Sequence, residues 1–361
     1  MTIHASMAEA LRLTRSGHLL QATATLRSAL QGTAPTKDVR SDPTDLKPAP
    51  SRPLPKLTAS TGAGAIGRTT AGSTFEECTF QGDARALRYR LYVPADVTGG
   101  MPLIVMLHGC TQSPEDFARG TAMNRLADEF GFLVAYPQQT RAANTHKCWN
   151  WFKPGDQQRD RGEPALLAGV TRQVVRAYDV DPTRVYIAGL SAGGAAAAIM
   201  AAEYPDLYAA VGIHSGLACG AAKDLPTALA AMKRGGGAAS AKRTHRGFVP
   251  SIIFHGERDT TVHEVNSHEI AAAAARARGV SLDVRIEEGR SGTGRRYRRE
   301  LSCDRDGTVF IERWAIEGAG HAWSGGDASG SYTDPEGPQA SREMVRFFLE
   351  RTLEERPLER R

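Results

Sequence analysis

Long apolar runs are missing from this sequence of 361 residues. A helix that crosses a membrane needs about 20 apolar residues in a row, and no run approaches that length. A signal-peptide core is also missing, because Glu9, Arg12 and Arg15 interrupt the N-terminal helical pattern and residues 17–26 are too polar. These absences predict a cytoplasmic protein without a membrane span, with export by another route as the alternative.

Cysteine is scarce, and the cysteines do not form a metal-ligand pattern. No C-x-x-C pair occurs and no spacing matches a zinc site, so we expect no metal and no cofactor. The odd number of cysteines and the missing signal peptide favour free thiols. The best candidates for a set of metal ligands are His108, Cys110, His146 and Cys148. We interpret these as ordinary core or disulfide residues. The other three cysteines are Cys78, Cys219 and Cys303.

Basic residues outnumber acidic residues only slightly. The formal net charge is +5, the isoelectric point is near 9.0, and the basic residues are spread through the chain. This balance aids solubility and does not indicate a nucleic-acid partner. With 41% hydrophobic residues the chain can bury a large core, and we expect one domain of about 250–300 residues with an appendage. The oligomeric state is not determined by the sequence.

Three regions differ in composition. Residues 1–31 have leucines at helical spacing with a break near Gly17, which predicts an N-terminal helical pair similar to half of a tetratricopeptide repeat. Residues 32–72 are rich in Pro, Ala, Gly, Ser and Thr and poor in apolar residues, which predicts a linker. Residues 73–355 alternate strand and helix patterns and are predicted to form the main domain.

The main domain is predicted to have an α/β fold. The runs Pro102–Leu107 and Phe132–Tyr136 are continuously apolar, as in strands buried on both faces. One helix is predicted over Ser113–Phe130, and a mobile Gly/Ala/basic insertion over residues 233–247. The alternation indicates a mostly parallel central sheet with helices on both faces and ligands at the carboxyl ends of the strands. The other predicted strands are Thr74–Phe80, Ala86–Val93, Tyr208–Ile213, Val249–Phe254, Leu282–Glu287, Tyr297–Cys303 and Val309–Ile316, and the other predicted helices are Pro164–Tyr178, His263–Arg278 and Ser341–Arg351.

The stretch 184–198 is typical of a nucleophile elbow. An apolar strand pattern leads into G-x-S-x-G with Ser191 at its centre, and an alanine-rich helix pattern follows. Glycines beside such a serine allow the strand and the helix to approach each other on a tight, strained turn. The helix start then directs its N–H groups and positive dipole end at any charge that develops there.

A serine nucleophile needs a base, and the base needs a carboxylate that holds its tautomer. His321 follows the Val309–Ile316 strand among small residues and is the predicted base, with His214 as its main rival. Asp259 follows the Val249–Phe254 strand and is the predicted acid, with Glu257 as the alternative. The order of nucleophile, acid and base along the chain is that of α/β-hydrolases.

The oxyanion of the reaction needs two backbone donors. Ala192, directly after the nucleophile, is predicted to supply one N–H. The loop after the Pro102–Leu107 strand is predicted to supply the other from Cys110, with Thr111 as the alternative. The residues predicted to bind substrate, with plain core packing as the alternative for the tryptophans, are Trp149, Trp151, His214 and Trp323.

Several motifs together resemble the polyhydroxybutyrate depolymerase family of esterases, which is related to feruloyl and acetylxylan esterases. The similarity covers about residues 73–350, and the motifs agree in order and spacing. They are His108-Gly109-Cys110-Thr111-Gln112, Cys148-Trp149-Asn150-Trp151, Gly189-Leu190-Ser191-Ala192-Gly193-Gly194, His255-Gly256 with Asp259, and Gly320-His321 with Trp323.

The resemblance implies an α/β-hydrolase catalytic domain, a triad of Ser191, Asp259 and His321, no metal, and hydrolysis of carboxylic esters. It also implies a disulfide between Cys110 and Cys148, and less directly one between Cys219 and Cys303. The expected function is therefore a serine esterase that acts through an acyl-enzyme on hydroxyalkanoate esters, oligomers or polyester. The alternatives are a feruloyl or acetylxylan esterase and, in another class, a non-catalytic granule-surface or scaffold protein on a hydrolase fold.

Overall fold

The computed structural model describes residues 72–353, except residue 84, residues 238–246 and residue 280. The predicted helical pair, nearly all of the predicted linker and most of the predicted insertion lie outside the described residues. Within these ranges no helix combines the length and the apolar character that crossing a membrane requires.

The described residues are built around a ten-stranded sheet in the order β1-β2-β4-β3-β5-β6-β7-β10-β9-β8. The five pairings from β4 to β10 are parallel, and the two ends of the sheet are antiparallel. This confirms the predicted mostly parallel sheet. The strands are β1 (Thr74–Gln81), β2 (Ala86–Val93), β3 (Leu103–Leu107), β4 (Leu133–Pro137), β5 (Val185–Leu190), β6 (Ala210–His214), β7 (Ser251–Gly256), β8 (Asp283–Arg290), β9 (Arg296–Cys303) and β10 (Val309–Ile316).

Helices cover both faces of the sheet, so the central strands are buried on both sides. Every residue of β3, β4, β5, β6 and β7 is buried, and two apolar clusters fill the spaces above and below the sheet. The helices are α1 (Pro114–Thr121), α2 (Met123–Phe130), α3 (Gly162–Ala177), α4 (Ala192–Glu203), α5 (Leu225–Arg234), α6 (Val265–Arg278) and α7 (Ala340–Leu349). A two-stranded parallel pair, β11 (Trp323–Ser324) and β12 (Thr333–Asp334), lies apart from the main sheet.

The single helix predicted over residues 113–130 is wrong, because the chain forms two helices there. Ala122 separates α1 from α2 in the left-handed region, with φ 51°. The carbonyl of Gly120 accepts the Asp327 N–H at 2.8 Å, and the carbonyl of Thr121 accepts the Ser341 hydroxyl at 2.6 Å. A continuous helix would need both carbonyls for its own hydrogen bonds, so contacts from distant segments end α1.

Helix α5 was not among the predicted helices. It begins with a capping box, in which the Asp224 side chain accepts the Thr227 N–H and the Thr227 side chain accepts the Asp224 N–H. The sequence analysis did not identify this cap. The insertion predicted from residue 233 therefore begins within the last turn of this helix.

Candidate active site

The carboxyl ends of the parallel strands bring the candidate catalytic residues to one edge of the sheet. Ser191 follows β5, His214 ends β6, Asp259 follows β7, and His321 follows β10. Since β5, β6, β7 and β10 are consecutive neighbours in the sheet, loops from distant parts of the chain meet at this edge.

Ser191 occupies a strained turn between β5 and α4. Its backbone has φ 58° and ψ −119°, a conformation that residues with a Cβ rarely adopt. A Cβ on Gly189 would collide with the backbone of Gly193, and one on Gly193 would collide with the Leu107 carbonyl oxygen. The two glycines are therefore needed for the strand, the turn and the helix to pack this closely.

Asp259 and His321 form a short hydrogen bond. The Nδ1 atom of His321 lies 2.7 Å from Oδ2 of Asp259, whose side chain is fully buried. The second carboxylate oxygen accepts the N–H groups of Thr261 and Val262 at 2.9 and 2.8 Å. Burial by itself raises the pKa of Asp259, but the hydrogen bonds and charges supplied by His321, Val262 and His255 together outweigh burial, and the pKa is lowered. An ionised Asp259 holds the proton of His321 on Nδ1 and leaves Nε2 as the basic atom. Glu257, the alternative acid, is exposed.

His214 connects the elbow to the loop that carries His321. Its backbone carbonyl accepts the Ser191 N–H at 2.9 Å, and its Nε2 accepts the Ser324 N–H at 3.0 Å. The other ring nitrogen lies 3.2 Å from the Ser215 hydroxyl, and the ring stacks between Phe254 and Trp323. Burial lowers the pKa of His214 to about 3, so the ring is neutral. Both nitrogens are occupied, so this geometry favours a connecting role over the role of base.

His255 is a site residue that the sequence motifs include beside Asp259 without a role of its own. Its ring is completely buried, and Nε2 donates to the Val262 carbonyl at 2.8 Å. The same nitrogen lies 3.5 Å from Oδ2 of Asp259. His255 thus supports the loop that presents Asp259, and its short sequence motif contains no signal that distinguishes this contact from an ordinary turn.

The loop after β3 holds Cys110 with its N–H available. The Thr111 N–H donates to the His146 carbonyl at 2.6 Å, and the Gly109 N–H donates to the Gln112 side chain at 2.8 Å. Within the described ranges, no acceptor is recorded for the Cys110 N–H. Of the two predicted donors in this loop, Cys110 therefore fits the role better than Thr111, whose N–H is already bonded.

A disulfide joins Cys110 to Cys148 across 38 residues. It links the loop after β3 to the loop that carries Trp149, whose indole N–H donates to the His108 carbonyl at 3.1 Å. The second disulfide that the resemblance implied is wrong, since Cys219 and Cys303 are not joined. Cys219 lies in the loop after β6 and Cys303 ends β9, and β7 and β10 separate those two strands in the sheet.

Glu163, at the start of α3, anchors the Cys148 loop and was missed by the sequence analysis. Its buried carboxylate accepts the backbone and side-chain N–H groups of Asn150 at 2.7 and 2.6 Å, and the Gln139 amide at 2.5 Å. Burial raises the pKa of Glu163 to about 7 against the effect of these donors. A glutamate in the first turn of a helix is ordinary, so only the folded chain reveals its contacts.

The tryptophans predicted to bind substrate lie in the core. Trp149, Trp151 and Trp323 are 0%, 7% and 1% exposed. The Trp323 indole donates to the Ser341 hydroxyl at 3.0 Å, and its ring meets Phe117 edge to face. This burial agrees with the alternative of core packing. Direct contact of these tryptophans with substrate stays a prediction. Among the described residues no cluster of His, Cys, Asp and Glu has the composition of a metal site.

The architecture is that of an α/β-hydrolase. The structure of an acetyl xylan esterase from Aspergillus awamori is similar, with a TM-score of 0.58 and 21% identity, over 69% of this chain and 94% of that one. The family model described as "Esterase PHB depolymerase" matches residues 87–296. The chain therefore belongs to the PHB depolymerase family of esterases.

Curated relatives agree with the family. Poly(3-hydroxyalkanoate) depolymerase C of Paucimonas lemoignei is 30% identical over 240 residues, which is 64% of this chain. A probable acetylxylan esterase A of Neosartorya fischeri is 26% identical over 227 residues, which is 58% of this chain. The chain spans only 57% and 61% of the length of these two relatives.

Proposed function

We propose that this chain is a serine carboxylic-ester hydrolase that acts through an acyl-enzyme. The observation that supports it most is the 2.7 Å hydrogen bond between Asp259 and His321, on a loop that His214 connects to the strained turn of Ser191. This arrangement provides a nucleophile, a base with a defined tautomer and a buried carboxylate.

In the proposed reaction, Nε2 of His321 takes the hydroxyl proton while Ser191 attacks the ester carbonyl. The Ala192 and Cys110 N–H groups stabilise the oxyanion, and the start of α4 adds its positive dipole end. His321 then protonates the leaving alcohol, and the acyl group stays on Ser191. Water activated by the same imidazole releases the acid in the second half of the cycle.

We propose hydroxyalkanoate esters, their oligomers or polyester as the substrates. The family membership and the depolymerase relative support this choice. The acetylxylan esterase relative supports esters of plant polysaccharide as the second candidate. A panel of esters from acetate to decanoate, run beside polyhydroxybutyrate film and acetylated xylan, separates the two, because only the favoured polymer should release soluble acid.

Ser191→Ala tests the proposal as a whole. We expect it to abolish hydrolysis of p-nitrophenyl butyrate, with a loss of at least about 10⁴-fold in kcat, and to abolish labelling by a fluorophosphonate probe. Ser281→Ala, at an exposed serine between α6 and β8, is the matched control and should keep both. A wild-type chain that neither hydrolyses esters nor reacts with the probe would favour the non-catalytic scaffold alternative.

The cytoplasmic location stays a prediction. A disulfide between Cys110 and Cys148 would persist better in an oxidising compartment, which favours export over the cytoplasm. Fractionation of the native cells, followed by thiol labelling of the two cysteines, tests the location and the redox state together.

A further inference from the structure

Tyr332 is an exposed aromatic residue in a strained backbone conformation. Its side chain is 48% exposed, and its φ is 54° although it is not a glycine. Residues with a Cβ occupy this region only at a cost in free energy, and such residues are concentrated at functional sites. Neither the sequence patterns nor the proposed mechanism uses Tyr332.

Tyr332 lies between two loops of the proposed reaction. We call the loop after β3, which carries Cys110, the oxyanion loop, and the loop after β10, which carries His321, the base loop. The Tyr332 hydroxyl is 3.3 Å from the Thr111 hydroxyl, next to Cys110. Its carbonyl accepts the Trp323 N–H at 2.7 Å, two residues after His321. The side chain of Tyr332 therefore reaches the oxyanion loop, while its backbone is bonded to the base loop.

The segment around Tyr332 is fastened on the side of α1. The Asp116 carboxylate accepts the Ser331 N–H at 3.0 Å and also the Ser331 hydroxyl. The Gln112 amide donates to the Ser331 carbonyl at 3.1 Å, and its oxygen accepts the Gly109 N–H of the oxyanion loop. One side-chain network thus positions both Tyr332 and the oxyanion loop.

The same segment is fastened on the side of the β8–β9 hairpin. The Arg295 guanidinium pairs with Asp334 at 3.3 Å and with Glu336 at 2.5 Å. The hydroxyl of Ser291 donates to the Glu336 carbonyl at 2.7 Å. With attachments before and after it, Tyr332 is a preorganised contact, and little conformational entropy is lost when a ligand meets it.

We infer that Tyr332 is a specificity-determining residue whose ring packs against an apolar substituent of the ester, next to the reacting carbonyl. This inference rests on the proposed esterase function. A tyrosine that served only to hold the loop would be buried, whereas Tyr332 is 48% exposed and its hydroxyl lies 3.3 Å from that of Thr111. The attachments of the loop are instead supplied by Ser331 and Asp334.

Two substitutions distinguish the contribution of the Tyr332 ring from that of its strained backbone. Tyr332→Asn removes the ring but tolerates the left-handed conformation, and Tyr332→Phe keeps the ring and removes only the hydroxyl. Leu229→Ala, at a residue of α5 that is 45% exposed, is the matched surface control. Each variant is measured on p-nitrophenyl esters from acetate to octanoate, and on butyrate esters of alcohols from methanol to hexanol.

We expect Tyr332→Asn to lower the ratio of kcat/KM for the largest ester over the smallest about tenfold in one of the two series, because a lost apolar contact acts on the larger substituent. That series identifies which side of the carbonyl the ring contacts. The smallest ester should change by less than about threefold, and Tyr332→Phe and Leu229→Ala should keep the wild-type ratio.

Unchanged ratios in both series with Tyr332→Asn would overturn the inference, and so would an equal loss for every ester, since that indicates a purely structural role. The melting temperature of each variant identifies a folding defect. If the wild-type chain hydrolyses no ester, the proposed function fails. If it hydrolyses esters through Ser191 and the ratio of kcat/KM for the largest ester over the smallest does not depend on Tyr332, only this inference fails.

Discussion

The two loops that border Ser191 are stabilised by different physical means. The oxyanion loop is tied to the Cys148 loop by a disulfide, and that loop is anchored on the buried carboxylate of Glu163. The His321 loop is held by hydrogen bonds to the neutral ring of His214 and to the ionised Asp259.

The difference follows from what each loop does in the proposed reaction. The oxyanion loop keeps its protonation state throughout, so a covalent link and rigid anchoring serve it without interference. His321 gains and loses a proton in each cycle, so a neutral imidazole as its neighbour avoids a further charge that would oppose protonation. One carboxylate then remains to stabilise the imidazolium.

Between the two loops, the largest effect should come from Asp259 on the base side. Asp259→Asn keeps the size of the side chain but removes the charge that holds the His321 tautomer, so we expect kcat to fall by about 10³–10⁴-fold. Glu257→Gln, an exposed neighbour, should change kcat by less than about twofold. Steady-state kinetics on a short ester measure both, and a large effect of Glu257→Gln with a small one of Asp259→Asn would reverse the assignment of the acid.

A smaller but broader effect is expected from His214. His214→Ala removes the acceptor of the Ser324 N–H and leaves a cavity between Phe254 and Trp323. We expect about 2–4 kcal/mol less stability in urea and about 10–100-fold lower kcat/KM from misplacement of His321. The half-exposed His268 on α6 is the control, and His268→Ala should be nearly neutral. Full activity in His214→Ala would show that the position of His321 does not depend on the His214 ring.

On the oxyanion side, we expect stability to change more than chemistry. Replacing Cys110 and Cys148 together by serine removes a link across 38 residues and should cost about 2–4 kcal/mol of stability. The backbone donor of residue 110 remains, so kcat should fall less than with Asp259→Asn. Thermal unfolding with and without reductant measures the loss, with Cys78→Ser as the control. Identical melting temperatures for wild type and double variant would show that the bridge adds no stability.

The smallest effects on activity are expected for pH, which should change stability with opposite signs at two buried groups of the oxyanion side. Burial lowers the pKa of His108 to about 4 from an ordinary 6.5, so its contribution is complete above pH 6.5 and is lost as the pH falls toward 4. Burial raises the pKa of Glu163 from 4.5 to about 7, so its contribution is complete below pH 4.5 and is lost as the pH rises through 7.

Urea unfolding of wild type, His108→Gln and Glu163→Gln between pH 4 and pH 8 tests both signs. The stability advantage of wild type over His108→Gln should shrink as the pH falls, by up to about 1.4 kcal/mol per unit. Its advantage over Glu163→Gln should shrink as the pH rises. If both differences change in the same direction, the proposed protonation states are wrong.

Local patterns predicted those elements that are marked by apolar runs or by glycine spacing within a few residues. The bounds of Val309–Ile316 were predicted correctly, and the elbow was read from glycines that the structure shows to be sterically required. The helix predicted over 113–130 failed because Asp327 and Ser341, more than 200 positions away, take its carbonyls. Tyr332 and Glu163 were missed for the same reason, since their partners are distant in sequence.

The sequence alone determined the alternation of strands and helices, and with it a parallel sheet whose strand ends carry Ser191, Asp259 and His321. Apolar periodicity and glycine spacing are enough for that, because backbone geometry and burial act over a few residues. Only the tertiary structure decided which buried histidine supports the acid, which connects the loops, and which surface tyrosine lies beside the oxyanion loop. Those roles depend on hydrogen bonds between segments that approach one another only after the sheet has formed.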